Sequence, residues 1–225
     1  MSEAREAVLG RIRAALGEAS AEPAAAAWAR ISREYRRSGA GGEGGEGGVE
    51  VGGSSQAALT LLEERLRDYD AVVERVTAAE LPAAMDRALL KVAGRVLVAT
   101  GFVPDWLPAM RAVEWDAAFS ARQLDGFEAV LTGATLAIAE TGTLVLQGVA
   151  GQGRRAATLV PDVHLCTVRM RDVVATVPEA IARLEGTATL PTTFVSGPSA
   201  TADIEMTRIK GVHGPRFLHV FLLDG

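Results

Sequence analysis

Apolar positions recur along this chain with two different periods, which separate a helical beginning from a longer part of mixed structure. At the start Val8, Leu9, Ile12 and Leu16 repeat at helical spacing behind Ser2, a capping residue, and predict an amphipathic helix over residues 2–18. Trp28, Ile31 and Tyr35 continue the pattern over residues 23–37, with Pro23 acceptable in a first turn. These helices need an apolar surface to pack on, in their own domain or a partner. Residues 39–53 then read GAGGEGGEGGVEVGG. A segment so short of side chains cannot offset the entropy of ordering it, so it reads as a flexible linker. A phosphate-cradling glycine loop would need a strand before it, a helix after it and a Lys-Ser/Thr ending, which this segment lacks.

From residue 54 helix and strand alternate. Leu59, Leu62 and Leu66 define one face of a helix over 54–69, and 72–76 is a short strand. Thr77-Ala-Ala-Glu80 has the form of a capping box opening a helix with Pro82 near its start and Leu89 and Leu90 behind it. Residues 95–99 (RVLVA) are apolar enough for a central parallel strand, 100–104 turn into a short helix holding Trp106 and Met110, and 113–115 is another strand candidate. Three strand candidates, 128–131, 136–139 and 143–146, follow with glycine turns and no helix between them, which predicts an antiparallel portion at one side of the sheet or hairpins around a crevice. Residues 151–159 read as the start of a helix, 165–170 as a strand, 172–184 as a helix broken at Pro178, and 193–196 and 218–223 as the last strands. The rhythm predicts an α/β fold: an open, mostly parallel sheet with helices on both faces, preceded by a helical arm. The expected layout is an N-terminal helical arm over 1–38, the linker over 39–53 and the α/β domain over 54–225.

Composition narrows the function. A net charge of −5 over 225 residues gives no electrostatic case for nucleic acid or an anionic membrane as the main partner. Cys166 is the only cysteine, so the chain by itself builds neither a disulfide nor a Cys-based iron–sulfur or Cys-rich zinc site. Charged residues fill the N-terminus where a secretory signal would be apolar, and no apolar run reaches the roughly 18 residues of a membrane span, so a cytoplasmic location is expected.

Two dense stretches carry the candidate chemistry. The first runs over 194–223, where Ser196, Gly197, Ser199, Thr201 and Asp203 form a turn after a strand. Backbone N–H groups and hydroxyls there suit an anionic group, with Arg154 or Arg155 as a source of positive charge; capping of a short helix through Asp203 is the alternative. His213 sits in an accessible Gly-His-Gly-Pro turn suited to binding, whereas His219 reads as a core or pairing residue. The second stretch, 132–147, offers Glu140 beside Thr141, Gly142 and Thr143. Partly desolvated, its carboxylate would serve as a base or nucleophile; an ordinary turn glutamate fits as well. His213, His219, Asp203 and Glu205 lack metal-site spacing, and no metal is assigned. His164 and Cys166 share a strand face and read as buried groups. The resulting expectation is geometric: 196–203, His213 and Glu140 border one crevice at strand ends.

AIAETGT (137–143), LVPDVH (159–164), SGPSATADIE (196–205) and GVHGPRFLHVFLL (211–223) resemble the lactate utilization protein C family, the single-domain members of the LUD group. The resemblance runs from about residue 54 to the end. Family members usually carry a basic residue after the Gly-Pro-Ser turn, where this chain has Ala200. The resemblance implies a fold similar to the sugar-phosphate isomerase and CoA-transferase superfamily. It also implies a part in oxidising L-lactate to pyruvate, beside partners that bear iron–sulfur clusters, with no cofactor held by this chain. Two other readings stay open: a stand-alone enzyme of the isomerase or CoA-transferase type using Glu140, in analogy with the glutamate nucleophile of CoA transferases, and a non-catalytic module that binds a metabolite.

Overall fold

A computed structural model of the chain describes residues 3–16, 24–32, 56–202, 208–210 and 214–225. It divides into two compact units, Met1–Tyr35 and Arg36–Gly225. The first holds α1 (Glu3–Leu16), which contains the repeat of Val8, Leu9, Ile12 and Leu16, and α2 (Ala24–Arg30). Val8 and Ile12 on α1, Trp28 on α2 and Ile31 just after it are exposed. The glycine-rich run 39–53 lies outside the described residues.

In the second unit, α3 (Gln56–Asp68) buries Leu59, Leu62 and Leu66 as their spacing predicts. After it come β1 (Val72–Thr77), α4 (Leu81–Ala88), β2 (Arg95–Val98), β3 (Glu114–Trp115), α5 (Ala121–Leu124) and β4 (Phe127–Gly133). The chain continues through β5 (Leu136–Ile138), β6 (Thr143–Gln147), β7 (Val163–Arg169), β8 (Val173–Val174), α6 (Val177–Leu184), β9 (Thr192–Val195), β10 (Ala200–Ala202), β11 (Arg208–Lys210) and β12 (Phe217–Asp224). Six strands form one parallel sheet in the order β1-β12-β7-β4-β2-β3. The apolar run of β12 is explained by its place between β1 and β7, with both faces covered.

Because side chains alternate along strands, the register sorts the core into two faces. On one, Leu165, Phe221, Val96 and Leu131 pack with Leu81, Ala84 and Met85 of α4. On the other, Cys166, Val168, Val220 and Leu222 meet α3 and the buried residues Ala137, Leu144 and Leu146 of a second sheet. Leu124 of α5 covers Leu97 and Val130 farther along that face. Helices therefore lie on both faces, as the alternating pattern requires.

Five local expectations change. The strands after residue 127 do not form one antiparallel edge: β4 pairs in parallel with β2 and β7, while β5 and β6 form a hairpin in a separate sheet of order β8-β5-β6-β9. Period alone could not separate these strands, because β4 and β5 are equally apolar and only two residues lie between them. Residues 151–159 yield just a 3-10 turn, Arg155–Thr158. Pro178 starts α6 instead of breaking a longer helix, since a first turn needs no N–H from it. The short helix weighed as the alternative after Ser199 does not begin at 200–202, which form β10, paired antiparallel with β11. At Thr77-Ala-Ala-Glu80 the Thr77 N–H and hydroxyl both donate to Glu80 Oε2, at 2.9 and 2.8 Å, but they close a turn, and α4 begins after it at Leu81.

Candidate functional site

The turn after β9 is held from three sides. Ser199 N–H donates to the Pro215 carbonyl at 2.8 Å, which ties the turn to the segment leading into β12. Ser196 Oγ lies 2.7 Å from Thr143 Oγ1, which in turn lies 2.8 Å from Thr141 Oγ1. Gly197 has φ +79 and passes so close to α3's exit that an added Cβ would stand 2.4 Å from Tyr69 Cβ. The two dense stretches of the sequence do meet, through hydroxyl groups.

This turn forms one wall of a crevice of about 240 Å³ lined by Ser196, Gly197, Ser199, Arg155, Thr158 and His164, among others. His164 and Leu218 are the second residues of β7 and β12, so the crevice opens at the amino ends of these parallel strands and at the carboxyl end of β9. Just outside the lining, Asp162 accepts from Arg216 Nε at 3.0 Å, while its carbonyl takes the Phe217 N–H at 3.1 Å, which ties the start of β7 to the start of β12.

Two adjacent arginines part company here. Arg154 binds Asp116 with both Nε and Nη2, at 2.9 and 3.1 Å, and also donates to the Phe119 carbonyl. Burial pushes the Asp116 carboxyl up, but the Arg154 hydrogen bonds and charge, with the backbone N–H groups of Phe119 and Ala118, hold it below its usual value. Arg155, by contrast, lines the crevice and donates to Thr158 Oγ1 at 3.2 Å.

His164 is 1% exposed, and its Nε2 lies 2.7 Å from Thr132 Oγ1. Burial lowers its pKa to about 4, helped by the Arg155 charge, so the imidazole is neutral at neutral pH. Thr132 Oγ1 is also 3.6 Å from Cys166 Sγ. Burial raises that thiol to about 12, against the lowering effect of the Thr132 hydroxyl, and leaves it unreactive. The sequence placed His164 and Cys166 correctly on one buried face. It gave no sign that His164 also reaches a cavity, because that depends on where the turn after β9 folds back.

Glu140 stands apart from the crevice. Its Oε1 accepts the Val177 N–H at 2.7 Å, at the start of α6, and Gly142 packs with φ +59 against Arg65. Glu140, Thr141, Gly142 and Thr143 do not line the cavity; Thr143 supports it by holding Ser196. Replacing Glu140 with Gln removes a negative charge from a helix start and is expected to lower stability by about 0.3–1 kcal/mol in thermal denaturation. If Glu140→Gln instead abolishes a turnover while leaving stability unchanged, the carboxylate has a chemical role. Thr201 lies on β10, while Asp203 and His213 fall outside the described residues. His219 Nε2 is 2.9 Å from Glu74 Oε1 and its ring stacks on Phe221, which agrees with a pairing residue in the core.

A second, wider cavity of about 580 Å³ lies at the carboxyl ends of β1 and β12, lined by Thr77, Glu80, Arg75, Arg171 and Asp224, among others. There Arg75 is taken by Glu63, and Glu80 by Thr77. Among the described residues no group of three or more His, Cys, Asp or Glu is placed to hold a metal ion, and no helix is long and apolar enough to cross a membrane.

A sequence profile of the LUD domain matches residues 5–223. The chain belongs to the LUD domain family. Among LUD relatives, a protein of Deinococcus radiodurans called lactate utilization protein C is 44% identical over 164 residues, which covers 72% of this chain and 77% of that one. Another lactate utilization protein C, from Shouchella clausii, is 37% identical over 109 residues, 45% of this chain and 47% of the relative. A crystal structure of a DUF162 family protein from Deinococcus radiodurans superposes with a TM-score of 0.64 at 39% identity, covering 75% of this chain and 97% of that chain. The motifs at 137–143, 159–164, 196–205 and 211–223 thus sit in a LUD domain, and the described parts of the second, third and fourth wall the crevice.

Proposed function

We propose that this LUD protein is a component of an L-lactate utilization system, acting in the oxidation of L-lactate to pyruvate beside partner proteins that carry iron–sulfur clusters. It binds a small anion in the crevice beneath the turn after β9. The relatives named lactate utilization protein C support the system. The observation that carries the binding role is the crevice itself, which brings an arginine, two serines and a neutral imidazole to about 240 Å³. That volume is below the ~300–1,000 Å³ typical of drug-sized ligands, which suits a small organic acid better than an acyl-CoA. Electron transfer then falls to the partners, since a chain with one buried cysteine has no thiolate set for a cluster.

Tagged protein purified from cells grown on L-lactate is expected to bring down subunits with iron–sulfur absorption, and cells lacking the gene are expected to fail on L-lactate while growing on pyruvate. Recovery of the protein without such subunits, together with normal growth of the deletion strain, would overturn this reading.

A further inference from the structure

The parallel strands β7 and β12 lead away from the crevice at their amino ends to the wider cavity at their other ends. His164 and Leu218 line the first, Met170 and Asp224 the second. At about 3.3 Å per residue, the stretch of β12 from Leu218 to Asp224 spans roughly 20 Å, so the wider cavity is a place of its own. Met170 and Arg171 belong to a 3-10 turn, Met170–Asp172, directly after β7. The cavity therefore stands outside the carboxyl ends of β1, β7 and β12, the side on which open parallel sheets bind ligands.

Its lining holds two cations and two carboxylates, in unequal states. Arg75 donates to Glu63, and Glu80 accepts from the N–H and hydroxyl of Thr77. Arg171 and Asp224 are exposed, and among the described residues neither side chain has a hydrogen-bond or ion-pair partner, the other one included. Two opposite charges that face one cavity without meeting leave room for a ligand that carries both. The rest of the lining adds apolar surface, with Leu59 and Val76 buried and Met170 half-buried. The volume of about 580 Å³ falls within the ~300–1,000 Å³ typical of small-molecule sites.

We propose that this cavity binds a free α-amino acid with a bulky apolar side chain, its carboxylate on Arg171, its ammonium on Asp224 and its side chain on Leu59, Val76 and Met170. A guanidinium takes a carboxylate through two parallel N–H donors, and an ammonium brings three donors to a carboxylate. Met170 is unbranched and polarizable and adapts to side chains of different shape, so leucine, methionine and phenylalanine all fit. A simple organic acid leaves Asp224 unanswered, which separates this site from the small-anion crevice.

The test is calorimetric titration of the intact protein at low ionic strength with L-leucine, N-acetyl-L-leucine, L-leucinamide and L-alanine, together with NMR of methyl-labelled methionine. L-Leucine is expected to bind about tenfold more tightly than each of the others, which lack in turn the ammonium, the carboxylate and the bulky side chain. Arg171→Gln should weaken L-leucine and leave L-leucinamide as it was, whereas Asp224→Asn should weaken L-leucine and leave N-acetyl-L-leucine as it was. Both substitutions replace exposed side chains, so the fold is retained. The methyl signal of Met170, assigned through Met170→Leu, should move on addition of L-leucine, while that of Met85, buried against α4's face of the sheet, stays in place. No binding of L-leucine at millimolar concentration, equal binding of all four compounds, or binding that leaves the Met170 signal unmoved would overturn the proposal. The small-anion crevice is untouched by these outcomes, and the lactate role stands or falls with the pull-down and growth experiments.

Discussion

Lowering the pH from 7.5 to 4.5 should remove about 2.5 kcal/mol of folding stability through His164 alone. The sign follows from where the ring sits. Unfolded, the imidazole titrates near 6.5; folded, burial and the Arg155 charge lower it to about 4. Between those values the unfolded chain binds a proton that the folded protein refuses, so protonation pulls the equilibrium toward unfolding. The contribution is fully present above pH 6.5, declines below it and levels off below pH 4. His219 is also lowered, by burial first, with Glu74 opposing, and so adds loss in the same direction. Asp116 is held below its usual value and contributes loss at still lower pH. The His164 share is isolated by comparison with His164→Gln, which cannot titrate but keeps an amide for Thr132. Urea denaturation across this range should give a steep dependence for the native chain and a flatter one for the variant. Parallel curves would mean that the ring is not buried in its neutral form.

Gly197→Ala is expected to cost about 2–5 kcal/mol, and the crevice with it. Two effects add. With φ at +79 the backbone is in the left-handed region, where a Cβ costs roughly 1–2 kcal/mol. The new Cβ would also stand 2.4 Å from Tyr69 Cβ and 2.9 Å from its Cγ, and relief of such overpacking costs about 1–3 kcal/mol. The Cβ cannot swing away, because its position is set by the backbone at the exit of α3. The turn must lift, which separates Ser196 from Thr143 and opens the wall facing Arg155 and His164. Gly186→Ala is the control: nothing lies within 4 Å of its Cβ position and its φ is not positive, so it should be neutral or stabilising by up to about 1 kcal/mol. Urea midpoints of the two variants measure the difference. If both change stability equally, the close approach to Tyr69 is not what constrains the turn.

These two residues show how much of the site the sequence carried. Gly197 stood out at once, in a Ser-Gly-Pro-Ser turn after a strand, because glycine and hydroxyl residues at such a point mark a special backbone. His164 did not: a histidine inside an apolar run looks the same whether it meets a neighbouring side chain alone or a cavity as well. Glu140 was conspicuous for a similar reason to Gly197, since a carboxylate between two apolar strands is unusual. Its carboxylate turns to the Val177 N–H, and the start of α6 lies 37 positions along the chain, beyond any local pattern.

By itself, the sequence determined the class of fold and the longer elements. The spacing of Leu59, Leu62 and Leu66 makes an amphipathic helix wherever it lies, and runs such as RVLVA and LHVFLL form strands buried on both faces, because local sterics and hydrophobic periodicity act over a few residues. Tertiary structure alone decided the rest. It placed β4 in the parallel sheet and β5 in another, and it turned Arg154 toward Asp116 while leaving Arg155 to the crevice. It also laid the turn after β9 over the amino ends of β7 and β12. Each of these outcomes depends on the register between segments distant in sequence, where a shift of one residue reverses which face a side chain takes.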